Sequence, residues 1–356
     1  MSALINMPTD LMAQCAALLA DAHIEASIQS VVPCDVGGNN RTYRIQTSIG
    51  PVALKQYYRH EGDTRDRLAT EFAFLDYAAK VAPGMAPTPL AMNEPNGLAL
   101  YEFIEGSRYK PGNLTWEQVG RATQFFRALN DSAARREATA LPIASEACFS
   151  ITEHLNLIEF RLGRLQTFEA VGGEDRAAQV IIKKIYAFWL MLAEEVAKAS
   201  QLIGLDSNAP LEQAQRCLSP SDFGFHNALV QLDGKLRFLD FEYAGWDDPA
   251  KMISDFFSQL AVPVPANLFD RFVQEVVMPF PRPEEIVQRA RLLLPLYQVK
   301  WCCIALNIFL PANLARRKFA NPALDEKALK QSQLVKATNI FQSIQAPRYG
   351  LLRFSR

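Results

Sequence analysis

The sequence lacks several features that would each point to a function. It has no surplus of one charge: 37 Lys and Arg stand against 38 Asp and Glu, a formal net charge of −1. A domain built to hold nucleic acid usually carries a basic field, so composition gives that partner no support. None of its cysteines (Cys15, Cys34, Cys148, Cys217, Cys302, Cys303) forms a CxxC pair, and no histidine lies at metal-ligand spacing from them. That pattern fits neither a zinc site nor a disulfide scaffold and implies reduced thiols in a cytoplasmic protein. Met1 to Asp10 has no basic segment followed by an apolar run, so it does not read as a signal peptide. A membrane span needs roughly 20 mostly apolar residues. The most apolar stretch, Leu292 to Leu310, is broken by Pro295, Gln298, Lys300 and Asn307, which implies a buried helix and no membrane partner. Internal repeats and low-complexity segments are absent as well.

What remains is an ordinary globular composition, 49% hydrophobic and 21% charged, in 356 residues, enough for one large two-lobed unit or two domains. Leu11, Met12, Cys15, Leu18 and Leu19 recur at helical spacing. Ser30 to Asp35, Thr42 to Ser48 and Val52 to Tyr58 read as three antiparallel strands, separated by Gly37-Gly38-Asn39-Asn40 and Gly50-Pro51. Leu68 to Lys80 is predicted helical, ended by Pro83, Pro87 and Pro89, and Leu98 to Ile104 is a further strand. From Thr115, which forms a capping box with Gln118, helices dominate, with spans expected at 150–167, 174–202, 266–278, 284–309 and 324–343. One strand island interrupts them: Ala228 to Phe241, with a hairpin turn at Asp233-Gly234. The fold class is α+β, with a small sheet-bearing lobe over 1–104 and a mostly helical lobe over 105–356.

The hairpin carries the chemistry. Ser221-Asp222-Phe223-Gly224-Phe225-His226-Asn227 leads into it and Asp240-Phe241-Glu242 leaves it. A hairpin returns the chain to its starting point, so Asp222, Asn227 and Asp240 can converge. Two carboxylates and an amide oxygen suit Mg²⁺, a hard cation that completes its shell with substrate phosphates. Solvated turn chemistry explains the same residues equally well. The first lobe tips the balance. Phosphoryl transfer needs a backbone cradle, a cation on the phosphates, metal opposite, and a group that orients the nucleophile. Gly37-Gly38 can form the cradle, Lys55 can be the cation, and Glu71 on the next helix can hold Lys55 by an ion pair.

With these residues in view, the chain resembles the aminoglycoside phosphotransferase/choline kinase superfamily, relatives of the protein kinases, from about Val31 to Phe257. Gly37-Gly38-Asn39-Asn40-Arg41-Thr42-Tyr43 resembles the family's GG-x-x-N-x-x-Y, one residue shorter. Leu100 to Gly106 resembles the hinge, which implies adenine binding by the carbonyl of Glu102 and the N–H of Ile104. Pro220-Ser221-Asp222 to Asn227 resembles the H-G-D-x-x-x-x-N loop, with Pro220 in place of the family histidine. His226, where the family usually has glycine, is either a substrate contact or a loop-filling side chain. Asp240-Phe241-Glu242 is similar to the D-x-E pattern of methylthioribose kinase and choline kinase. The resemblance implies Asp222 as catalytic base; Gly37, Gly38, Asn40, Lys55, Glu71, Glu102 and Ile104 around ATP; and Asn227, Asp240 and Glu242 around Mg²⁺. It also implies that Asp255 braces the catalytic loop through backbone N–H groups. Trp246 and Trp301 are either core residues or stacking platforms for an acceptor.

The implied reaction is transfer of the ATP γ-phosphoryl group to a hydroxyl of a sugar, amino sugar or amino alcohol. A pseudokinase or nucleotide-binding regulator is the competing reading, motivated by Pro220 and the shortened glycine loop.

Overall fold

The computed structural model describes residues 9–345 apart from 35–37, 61–62, 64 and 113. Gly37 and the arginines of the tail after Gln345 lie outside the described residues. The chain opens with helix α1 (Thr9–Asp21) and three strands, β1 (Ile28–Cys34), β2 (Arg41–Thr47) and β3 (Gly50–Gln56), followed by helix α2 (Arg67–Val81), β4 (Pro89–Asn93) and β5 (Leu98–Glu102). They form an antiparallel five-stranded sheet in the order β1-β2-β3-β5-β4.

The sheet faces two cores because side chains alternate along a strand. Val52 and Leu54 of β3, with Leu98 and Leu100 of β5, pack under Leu11, Cys15, Leu18 and Leu19 of α1. The intervening residues face the other way: Ala99 and Tyr101, with Tyr57 just past β3, join Phe74, Leu75 and Ala78 of α2 in the main core. Lys55 shares this second parity, so the alternation that buries Leu54 outward turns Lys55 toward α2 and the helical half.

The rest of the chain supplies β6 (Ser107–Arg108), helices α3 (Trp116–Leu129), α4 (Ser132–Glu137), α5 (Ile151–Leu165) and α6 (Gly173–Leu202), strands β7 (Cys217–Ser219), β8 (Ala228–Val230), β9 (Leu236–Phe238) and β10 (Gly245–Asp247), and helices α7 (Pro249–Ser258), α8 (Phe269–Val277), α9 (Pro283–Leu306), α10 (Pro311–Ala320) and α11 (Glu326–Gln345). The expected capping box is present at Thr115 and Gln118. The hairpin pairs Ala228 with Phe238 and Val230 with Leu236, and Gly234 takes φ +79° at its turn, which glycine adopts without steric cost. Among the described residues one stretch, Pro283–Phe309, is long and apolar enough to cross a membrane by length and composition. Here α9 is the axis of the helical half, with Leu293, Leu296, Val299, Cys302 and Cys303 fully buried among α5, α6, α7 and α11.

The structure adds elements that periodicity did not suggest. Pro89, read as part of a helix stop, begins β4. That strand lies at the sheet edge, where a residue without an N–H is tolerated. The segment after Asp248 is a helix: Pro249 occupies its first turn and the Asp248 side chain accepts from the Ala250 N–H at 2.7 Å.

Strand β7, which leads into the Ser221–Asn227 loop, is tied to the helices through Asn130, which follows α3 and is fully buried. Its Nδ2 donates to the carbonyls of Leu218 (2.9 Å) and Phe126 (3.0 Å), and its Oδ1 accepts from the Leu218 N–H at 2.8 Å. Asn130→Ala is expected to orphan both backbone groups of Leu218 in β7 and to cost roughly 1–3 kcal/mol. Urea unfolding followed by circular dichroism measures it, and an unchanged midpoint would show that Asn130 is not the tie.

Candidate active site

Lys55 stands where sheet, helix and hairpin meet. Its Nζ donates to Glu71 Oε2 on α2 at 2.6 Å and to Asp240 Oδ1 at 2.7 Å. Glu71 is itself fully used: Oε2 also accepts from the Tyr57 hydroxyl at 2.6 Å, and Oε1 accepts from the Phe241 N–H at 3.2 Å. Phe74 on α2 stacks on Phe241 with ring centroids 5.0 Å apart, which holds the Asp240-Phe241 segment against the helix. Burial works against the charge on Lys55, yet Asp240, Glu71 and Glu242 around it hold its ammonium well above the usual lysine range. Burial pushes the Asp240 carboxyl up to about 6, with Glu242 and Glu71 adding to the push and Lys55 opposing it. Three carboxylates therefore surround one ammonium, and the site is short of positive charge.

Two residues here adopt left-handed backbone, Ser221 (φ +62°) and Asp240 (φ +67°). Aspartate visits this region more readily than most residues. Ser221 is held by its own polar groups. Its hydroxyl donates to the Tyr243 carbonyl at 2.7 Å, and its N–H donates to Ser219 Oγ at 3.0 Å. The twist presents Asp222 to the cleft. Asn227 Nδ2 donates to the Asp222 carbonyl (3.0 Å) and to its carboxylate Oδ2 (3.2 Å), while His226 Nε2 lies 3.1 Å from Oδ1. The Leu239 N–H donates to the Asn227 carbonyl at 2.8 Å, so the start and end of the hairpin are bonded to each other. Burial disfavours the Asp222 charge, but His226, Asn227 and then Lys300 keep its carboxyl below the usual range. Burial likewise pulls His226 down, and Asp222 overcomes it and raises the imidazole.

The structure brings Lys55, Glu71, Asp222, Asn227 and Asp240 into one cleft. Other expected residues are engaged differently. Asn40 Nδ2 donates to Glu242 Oε2 at 2.6 Å and its Oδ1 accepts from the Tyr58 N–H at 3.0 Å, so its side chain is committed to protein groups and not to a nucleotide. Glu242, expected as a metal ligand, is 2% exposed, and its other oxygen accepts from Asn39 Nδ2 at 2.8 Å. A buried carboxylate needs such donors, and the two asparagines supply them. Asp255, expected to brace the catalytic loop, instead receives Lys300 Nζ at 2.8 and 2.9 Å and Trp301 Nε1 at 2.9 Å. Glu102 closes β5, where its carboxylate accepts from Arg237 at 2.7 Å and the Thr88 N–H at 3.1 Å; Ile104 follows, buried. At Gly38 a Cβ would fall 1.1 Å from Arg317 Nη1, so the absence of a side chain lets α10 reach the glycine loop. Trp246 is core, donating to the Ala138 carbonyl at 3.2 Å, whereas Trp301 lines a cavity beside Asp222.

Oxygen ligands for a cation remain. Among the described residues none bonds Asn227 Oδ1 or Asp240 Oδ2. These two hard oxygens, one of them on the carboxylate that burial raises, fit Mg²⁺ completed by phosphate oxygens. No group of three or more His, Cys, Asp or Glu side chains among the described residues could hold a metal without such help. The cavity next to Asp222, about 470 Å³, is lined by residues that the motifs did not flag, including Arg164, Lys300, Arg316 and Arg317. Its one legible trace is the run Arg316-Arg317-Lys318, a pattern that usually marks a solvated helix face.

A family model described as the phosphotransferase enzyme family matches residues 30–277. No curated protein matches the chain. Among solved structures, a choline/ethanolamine kinase family protein from Mesorhizobium loti has a TM-score of 0.57 at 18% identity, covering 96% of this chain and 97% of that one. A spectinomycin phosphotransferase has a TM-score of 0.56 at 12% identity, over 93% and 98% of the two chains. A choline kinase from Streptococcus pneumoniae has a TM-score of 0.55 at 13% identity, over 94% and 100%. The fold is thus the two-lobed kinase-like one, a small antiparallel sheet above a mostly helical lobe.

The raised His226 gives a pH signature. Its contribution to stability is complete below the unfolded imidazole value of about 6.5 and is lost as pH rises through the higher folded value. Asp222, held low, stays ionised throughout that range. Thermal melts of wild type and His226→Asn between pH 5.5 and 8.5 should show the largest difference at the acid end and a shrinking one above it. A difference that ignores pH would mean that His226 carries no charge against Asp222.

Proposed function

The chain belongs to the phosphotransferase enzyme family, and from that premise we propose that it transfers the γ-phosphoryl group of ATP to a hydroxyl of a small molecule. The observation that carries the reading is the double ion pair of Lys55 with Glu71 and Asp240, set in the same cleft as Asp222 and Asn227. A buried ammonium held between two carboxylates is a poor device for stability alone, because desolvation consumes most of the Coulomb gain. It is a good device for presenting a fixed positive charge to phosphate oxygens. Solved neighbours of the same fold hold ADP or AMP, which supports a nucleotide in this cleft.

In this reading Glu102 and Ile104 line the adenine end, and Gly38 lets backbone approach the phosphates. Lys55 neutralises non-transferred phosphate charge. Mg²⁺ at Asn227 and Asp240 would neutralise the oxygens of the transferring group. Asp222 orients the acceptor hydroxyl and takes its proton as the new O–P bond forms and the bond to the β-phosphate oxygen breaks. A carboxylate held below its usual range is a weak base, which suits a reaction dominated by positioning and electrostatics. His226 keeps Asp222 ionised and fixes its orientation.

Asp222→Ala is expected to lower turnover by about 10²–10⁴-fold, and Asp240→Ala to lower it at least as far, with both variants still folded. Transfer of label from [γ-³²P]ATP, screened over sugars, amino alcohols, nucleosides and aminoglycosides, measures it, with melting curves as the control for folding. Wild-type turnover in either folded variant would sink the assignment.

A further inference from the structure

The cavity beside Asp222 has a charge that the family's named substrates do not predict. Eight Lys or Arg side chains line it against three carboxylates. Each of those carboxylates is already answered. Glu146 pairs with Arg161, Asp255 with Lys300 at 2.8 Å, and Asp222 faces His226 at 3.1 Å. Arg164 from α5, Arg316 and Arg317 from α10 and Lys336 from α11 line the same space. Among the described residues none of these four has a carboxylate within ion-pair distance. The Nε of Arg316 is buried with no hydrogen-bond partner. Burial, with Lys251 and Arg161 beside it, holds Lys300 below the ordinary lysine range although Asp255 touches it. Arg164 and Arg317 stay in contact with solvent, whereas the half-buried Arg316 and Lys336 and the unpartnered Arg316 Nε are groups that an anion in the hollow would complete.

We propose that the phosphate acceptor is itself an anion: a hydroxylated small molecule bearing a carboxylate or phosphate group, held by Arg164, Arg316 and Lys336 while its hydroxyl faces Asp222. The inference rests on the phosphotransferase reading for the role of Asp222, and on the cavity alone for the charge of the ligand. Guanidinium forks bind carboxylate or phosphate oxygens through paired, charge-assisted hydrogen bonds, which two arginines lining one cavity can supply. Arg317, against Gly38, stands between this hollow and the glycine loop, so it reaches the boundary that a transferred phosphoryl group would cross. A choline-like or polyamine acceptor would meet a field of its own sign here and would leave the arginines unpaired.

The test uses the full chain and four hexoses that share a hydroxyl frame and differ in charge: glucuronate, glucose 6-phosphate, glucose and glucosamine. In isothermal titration without ATP, at least one of the two anions should bind about tenfold or more tightly than glucose, with glucosamine weakest. The order of glucuronate and glucose 6-phosphate tells carboxylate from phosphate as the group recognised. Arg164→Gln, an exposed position that folding should tolerate, is expected to weaken the anionic ligands more than glucose. Arg164→Glu with Arg316→Glu should reverse the order in favour of glucosamine. Equal binding of all four, binding of none, or glucosamine binding tightest to wild type would overturn the proposal. Label transfer from [γ-³²P]ATP separates the two readings. Anion binding without transfer from ATP would count against the phosphotransferase reading and leave the cavity assignment standing. Transfer to glucosamine or choline but to neither anion would leave the phosphotransferase reading standing and overturn the anionic acceptor.

Discussion

The site is organised around a single buried ammonium. Lys55 comes from the sheet, Glu71 from the helix beneath it, and Asp240 from the far side of the cleft. Each is largely removed from water, and removing Lys55 would leave two carboxylates without a counter-charge. The consequences spread outward. Glu71 is held by the Tyr57 hydroxyl, which in turn lies 2.7 Å from the Tyr101 hydroxyl, so two strands help to fix one carboxylate. The Phe241 N–H bonds the same carboxylate, so the segment that carries Asp240 is aligned by Lys55 through its charge and by Glu71 through its backbone. The two halves of the molecule are registered here by polar contacts, with the stacked pair Phe74 and Phe241 beside them.

Around that centre the charge divides. On the side of Lys55 carboxylates are in excess, and burial raises Asp240 for want of a further cation. On the side of Trp301 and α10 cations are in excess. Asp222 sits between the two fields, kept ionised by His226 and Asn227. A reaction that brings together polyanionic phosphates, a divalent cation and an acceptor needs such a division, because attraction that positions one reactant would otherwise repel another. The two regions also touch structurally. Asn39 lines the cationic cavity and donates to Glu242, and Arg317 approaches Gly38. Whatever fills the cavity is therefore mechanically close to the glycine loop.

The order of the site along the chain was legible because it is written in local pattern. Apolar pattern placed Lys55 on a strand and Glu71 on the next helix, and the Asp233-Gly234 turn brought Asp222 and Asp240 together, whereas which face of each element met the cleft was settled by packing. The capping box at Thr115 and the buried character of α9 were readable for the same reason. Pro89 misled because a proline that stops a helix also starts an edge strand, and only sheet order distinguishes the two. Asn40, Glu242 and Asp255 were placed by motif alone, and their partners are residues about 200, 200 and 45 positions away. No local rule ranks one buried donor above another at that range, so a motif could name the residues without naming what they hold.

By itself the sequence determined the fold class, the family and the five groups that meet at the cleft, since each follows from periodicity, turn chemistry or a short ordered motif. Tertiary structure alone decided the sign of the cavity beside Asp222. Arg164 belongs to α5, and Arg316 and Lys336 to the consecutive helices α10 and α11 far along the chain, in a protein whose overall charge is close to zero. Net charge averages over such a pocket, and only packing, by drawing those cations together while spending the nearby carboxylates on Arg161 and Lys300, leaves an electrostatic field that selects a ligand.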